Sequence, residues 1–152
     1  MDLTSDEHYM DLALMEAQKA ELAGEVPVGA VIVSGNEVIG RGFNLPISQN
    51  DPTAHAEIIA IRQAAQAERN YRLTNATLYC TVEPCMMCAG AMIHARLMRL
   101  VFGTPDPKAG AAGSIYNVLT DPRLNHRVQV VSGIREDECV DILRQFFEKR
   151  RA

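Results

Sequence analysis

"ATLYCTVEPCMMCAGAMIHARLMRLVFG", residues 76–103, decides the fold. Its first seven residues read as a strand. Pro84 favours a helix start just after it, and the apolar run that follows carries that helix to about Ala95. "RLMRLVFG" is a second strand. Strand, helix and strand in direct succession imply a right-handed crossover and a sheet that is at least partly parallel, with helices packed on its faces.

The remaining chain extends this unit in both directions. Upstream, "VPVGAVIV" (26–33) and "EVIGRGF" (37–43) flank "SGN" and read as a hairpin. "AHAEIIAIRQAAQAE" (54–68) reads as a helix with Ile58, Ile61 and Ala65 on one stripe. Nearer the N-terminus, Thr4 with Glu7 forms a capping box. Met10, Ala13, Leu14, Ala17 and Ala20 follow at helical spacing and end near Gly24. Downstream, "RVQVVSG" is a fifth strand, and a last helix runs from about Glu136 to Arg150. The order α-β-β-α-β-α-β-β-α predicts one α/β domain over residues 1–152. Its architecture is a three-layer α/β/α sandwich around a five-stranded mixed sheet.

The chain has 152 residues, 47% of them hydrophobic and 22% charged, a globular composition rather than a disordered one. It has no apolar run of about 18 residues to span a membrane. "MDLTSDEHYMDL" lacks the basic flank and apolar core of a signal peptide. The expected location is therefore the cytoplasm, with the four cysteines reduced. Net charge is −4, but it is unevenly spread: residues 1–25 hold seven acids and one Lys, while 96–127 hold five Lys/Arg against two Asp. An acidic chain can still present a basic face. The helix "MMCAGAMIHA" is apolar nearly all round, which suits a central position or a subunit interface and leads us to expect a homodimer.

Cys85 and Cys88 make a single Cys-x-x-Cys in the first turn of a helix, with both sulfurs on one face. The helix N-terminus favours thiolate. The intervening Met-Met differs from the Gly-Pro of thioredoxin-like redox pairs. Cys80 alternates with Leu78 and Val82 and reads as core, as does Cys139 on a stripe with Ile142 and Phe146. His94 lies about half a turn of the helix away from Cys85. His55 stands at another helix start, with Glu57 two residues on. His55, Cys85 and Cys88 leave the fourth position of a tetrahedral zinc open, the arrangement of a catalytic site whose water ionises at a pKa of about 7. A non-catalytic zinc module would need a fourth protein ligand, and Cys80 and His94 point elsewhere. Glu57 is placed to move protons.

His55-Ala56-Glu57 and Pro84-Cys85-Met86-Met87-Cys88 resemble the H-x-E…P-C-x-x-C signature of the cytidine deaminase-like zinc deaminases. The segments "GEVPVGAV", "DPTAHAE", "KAGAAGS" and "NHRV" are similar to the tRNA adenosine deaminase branch of that family, from about Asp6 to Arg151. The resemblance implies one zinc per chain and hydrolytic conversion of adenosine to inosine at the wobble position of a tRNA anticodon. In that reaction zinc-bound hydroxide attacks, and Glu57 shuttles protons to the ring and the departing amine. The signature is shared with enzymes acting on free guanine or cytosine, which is the alternative reading.

Residue-by-residue transfer adds Asn44, Val28 and the backbone of Ala56 as substrate-pocket positions, and Asp106 beside the RNA backbone. Read from the residues alone, Asn44 also suits a turn, and Asp106 between two prolines also suits a loop filler. Lys108 and the C-terminal "FFEKRR" supply candidates for phosphate and stacking contacts, with Phe147 the stacking residue and Arg150 the cation.

Overall fold

Tyr79, in the middle of β3 (Ala76–Val82), shows how the layers form. The computed structural model describes residues 3–151, with side chains from residue 5 onward. Successive strand residues face opposite ways, and both faces of this sheet are covered. Ala30, Ile32, Leu78, Cys80, Leu100 and Phe102 fall in one apolar cluster, while Val31, Val33, Tyr79 and Val101 fall in the other. Strands sandwiched in this way are apolar along their whole length rather than alternating.

Among the described residues the elements are α1 (Leu3–Leu22), β1 (Gly29–Ser34), β2 (Glu37–Phe43), α2 (Ala56–Glu68), β3, α3 (Met86–His94), β4 (Arg99–Thr104), β5 (Gln129–Ser132) and α4 (Glu136–Arg151). The sheet order is β2-β1-β3-β4-β5. β1 is antiparallel to both of its neighbours, whereas β3, β4 and β5 run parallel. α2 and α3 cover one face, α1 and α4 the other. Element order, mixed sheet and three layers are those expected from the sequence. The capping box of Thr4 with Glu7 involves a side chain outside the described residues.

The face that α2 turns inward differs from the expected Ile58–Ile61–Ala65 stripe. Ala56, Glu57, Ala60 and Ala64 are buried, and the two isoleucines pack half-buried along the flank. Backbone clearance explains this. A methyl group at Gly42 would collide with the Ala56 carbonyl, and one at Gly40 with the Ala60 carbonyl. Glycine facing alanine lets helix and strand backbones approach more closely than isoleucine allows. This rotation of the helix also carries Glu57 inward.

On the opposite face, Asp6 of α1 is 3% exposed and anchors that helix to the sheet. Arg99 grips it with two hydrogen bonds, at 2.8 and 2.6 Å, and the Tyr79 hydroxyl donates a third at 2.7 Å. Burial opposes ionisation of Asp6, but the Arg99 and Tyr79 hydrogen bonds outweigh it and hold the carboxyl below its usual range.

The strand registers then define one end of the sheet. Gly29 pairs with Phe43, Ala30 with Cys80, and Val82 with Thr104. The residues just beyond these pairs, Val28, Asn44, Glu83 and Pro105, are thereby gathered at a single edge. In open α/β sheets, ligands bind in the crevice outside the carboxyl ends of parallel strands.

Candidate active site

His55 and Cys85 occupy equivalent positions, the N-caps of α2 and α3. Both have extended backbones (φ −76, ψ 153 and φ −76, ψ 176), and neither makes a side-chain capping bond, so the ring and the thiol remain available. Cys88 follows in the first turn of α3 and is fully buried. The three donor atoms lie within 4.8 Å of one another. His55 Nδ1 is 3.6 Å from Cys85 Sγ and 3.5 Å from Cys88 Sγ. A tetrahedral zinc with bonds of about 2.3 Å to sulfur and 2.0–2.1 Å to nitrogen separates such donors by about 3.6 Å. The set is therefore compatible with zinc in both chemistry and spacing. Cys85 is lowered to about 3, chiefly by the hydrogen bond from Cys88, with His55 adding to it against the effect of burial. The hydrogen bond between His55 and Cys85 in turn raises His55, against the effect of burial.

Glu57 lies beside these donors, only 4% exposed. Desolvation lifts its carboxyl to about 7, the range in which a carboxyl can both accept and release a proton at neutral pH. Cys80 and Cys139 are buried in the core and are not among the converging donors, and His94 faces outward at the end of α3. The directions read from strand and helix periodicity hold for all three.

A cavity of about 460 Å³ opens above the donors. Its floor is His55, Glu57 and Cys85, and Val26 and Val28 form one wall. Asn44 lines it too; the Asn44 side-chain Oδ1 accepts from the Ala56 N–H at 3.2 Å, and the Asn44 backbone N–H donates to the Val28 carbonyl at 3.1 Å. That leaves the side-chain NH₂ as its donor for a ligand. The rim contains Pro105, Asp106, Pro107, Lys108 and Ala109, faced by Leu143 and Phe147 of α4.

Of the substrate-contact residues expected from the sequence, Asn44, Val28, Asp106, Lys108 and Phe147 all meet at this cavity. Ala56 and Arg150 do not line it. Ala56 begins α2 and is buried on its inner face, and its N–H is taken by the Asn44 side chain. The Arg150 guanidinium lies 4.4 Å over the Phe146 ring and donates to the Gly24 carbonyl. Phe146 is buried and Phe147 is 41% exposed, as the helical spacing predicts. Sequence reading missed Leu143, which shares a face of α4 with Phe147 at i, i+4. It also missed Glu83, the buried carboxylate directly before Pro84.

A three-layer sandwich with His-x-Glu and Cys-x-x-Cys converging at two helix starts defines a deaminase of the cytidine deaminase-like class, and the MafB19-like deaminase family model matches residues 4–151. A tRNA-specific adenosine deaminase of Haemophilus influenzae is 54% identical over 147 residues, covering 96% of this chain and 85% of that one. Its counterpart in Bacillus subtilis is 48% identical, covering 98% and 92%. The chain belongs to the family of tRNA-specific adenosine deaminases. A structure solved in work on A-to-I editing by tRNA:A34 deaminases superposes with a TM-score of 0.86 at 47% identity, covering 90% of this chain and 99% of that one. A guanine deaminase of Nitrosomonas europaea shares the fold, with a TM-score of 0.80 at 22% identity over 92% of this chain and 83% of its own.

Proposed function

We infer that this protein hydrolytically deaminates adenosine to inosine at the wobble position of a tRNA anticodon loop, with residues 1–152 acting as one zinc-dependent domain. The observation that carries the chemistry is Glu57, buried on the cavity floor beside three soft metal donors. Zinc held by His55, Cys85 and Cys88 would supply an acidified water and Lewis-acid charge stabilisation. The chain supplies the rest. Glu57 takes the proton that water gives up and delivers it to the ring nitrogen, making the attacked carbon electrophilic. The second proton of the same water, passed through Glu57, lets the exocyclic nitrogen leave as ammonia, so that water and adenosine balance inosine and ammonia. Asn44 offers its NH₂ to the purine edge, and Val26 and Val28 exclude water from one side of the base.

The rim favours a nucleotide within a chain over a free base. Phe147 presents an exposed ring for stacking, and Lys108 an exposed cation for phosphate. In single-turnover assays with zinc-loaded protein, an anticodon stem-loop RNA with adenosine at the wobble position should yield inosine. Free adenosine, guanine, cytosine and cytidine should yield no product. Product from a free base with the RNA untouched would make this a salvage enzyme and return the rim to ordinary surface.

Among the described residues no helix is long and apolar enough to cross a membrane, and we place the reaction in the cytoplasm, with the substrate tRNA. We further propose a homodimer through α3. Met86 is 46% exposed in its first turn, Met98 is equally exposed just after its C-terminus, and nothing lies within 4 Å of where a Cβ at Gly90 would sit, so a second helix can approach here. Met98→Glu should convert a dimer to a monomer in analytical ultracentrifugation. A wild-type chain that sediments as a monomer at tens of micromolar would remove the proposal.

A further inference from the structure

Glu83 sits between β3 and the Cys85 N-cap, 3% exposed, and its partners all belong to one loop. Its two carboxylate oxygens accept the N–H of Asp106 at 3.0 Å, of Ala112 at 2.9 Å and of Ser114 at 3.0 Å, together with the Ser114 hydroxyl. Burial opposes the charge, but these bonds outweigh it and hold the carboxyl below its usual range. Main-chain bonds run in parallel. The Glu83 N–H donates to the Thr104 carbonyl at 2.9 Å, and the Ala111 N–H to the Pro84 carbonyl at 2.8 Å. Gly110 packs flat against the carboxylate, where a methyl group would overlap it.

The loop so gripped carries Pro105 to Ala109, which form one rim of the cavity. Within it, Asp106 Oδ1 accepts from the Lys108 and Ala109 N–H groups at 3.0 and 3.2 Å, which fixes the local turn. Pro105, Pro107, Lys108 and Ala109 are all exposed, so this stretch is held from beneath rather than by packing above. The residue that holds it is two positions from Cys85. One carboxylate thus ties the rim to the segment that carries a metal donor.

We propose that Glu83 is a positioning residue for the RNA substrate: it registers the Pro105–Ala109 rim, with Asp106 and Lys108, to the catalytic floor. This rests on the RNA deaminase reading above. Because the four donors are neutral N–H and O–H groups, Glu83 fixes the shape of the loop without drawing a cation into the site, and Lys108 stays at the surface. Glu83 touches no reacting atom, so its effect should appear in substrate capture rather than in the chemical step.

Glu83→Gln replaces one acceptor oxygen with an NH₂ that meets N–H donors head on. In the zinc-loaded enzyme, KM for the anticodon stem-loop should rise about tenfold, with kcat within about threefold of wild type and zinc still near one per chain. Amide hydrogen exchange at Asp106, Ala112 and Ser114 should accelerate. Should Glu83→Gln fail to fold, Ser114→Ala removes a single donor and should shift KM in the same direction by about threefold. Gly110→Ala should raise KM in the wild type but add less than about twofold in a Glu83→Ala background, where the methyl has room. Unchanged KM with a reduced active fraction and lost zinc would show that Glu83 only supports the fold. Multiplicative effects in the Gly110 cycle would equally overturn the clamp. If the wild type leaves RNA unmodified while exchange still accelerates in the variant, the clamp stands and the RNA reading falls.

Discussion

Glu57→Gln is expected to lower single-turnover deamination of the anticodon stem-loop by at least about 10³-fold while leaving about one zinc per chain. The amide fills the same space on the cavity floor but can neither take a proton from water nor pass one to the base, and general acid–base contributions of this kind reach about 10²–10⁴-fold. The rim residues Asp106, Lys108 and Phe147, which we propose to contact the RNA, are untouched, so RNA binding should stay within about threefold of wild type, a change under 1 kcal/mol. Stability should not fall, because burial is what raises this carboxyl to about 7, and the amide removes an ionisable group from that burial. Zinc analysis and a thermal melt on the same preparation separate the outcomes. Loss of the metal would make Glu57 a ligand and reopen the donor set, whereas full activity with metal present would take the proton shuttle away from it.

The class of fold was readable because its signals are local. Residues 76–103 spell strand, helix and strand within one window, and the first two strands are separated by only two residues, Gly35 and Asn36. The donor triad was readable for a related reason: each half is a short signature at a helix start, where an N-cap residue keeps an extended backbone and its side chain stays free of the helix. The reading failed where small residues or distant partners decide. Ile58 and Ile61 outrank alanine in hydrophobicity, yet α2 turns Ala56, Ala60 and Ala64 inward. The usable sign lay in another element, Gly40 and Gly42 two apart on β2, hence on one face. Glu83 gave no sign at all. A carboxylate between Val82 and Pro84 looks exposed, and its partners are three backbone amides and a hydroxyl 23 to 31 residues away that no periodicity reports. Arg150 shows what the sequence leaves out. A terminal run of cations suggests a phosphate contact but not its neighbours, and the course of α4 sets this guanidinium over Phe146 and against the Gly24 carbonyl, outside the cavity lining.

The four cysteines should divide sharply on substitution. Cys88→Ser should weaken zinc binding by more than about 100-fold, beyond the 10- to 100-fold cost of disturbing residues that merely support a ligand, and turnover should fall to background. Melting temperature should fall with it, since a metal that binds the folded chain at about a hundredfold over its Kd contributes roughly 2.7 kcal/mol. Cys80→Ala is the decisive contrast. Cys80 is as buried as Cys88, and its Sγ is directed to the Val82 carbonyl at 3.1 Å rather than to the donor cluster. Its replacement leaves a small void costing about 1–2 kcal/mol but should retain zinc and activity. Release of zinc by Cys80→Ala would mean a fourth protein ligand and a closed structural site. A closed site has no position for water, and the deamination chemistry assigned to Glu57 would have nothing to act on.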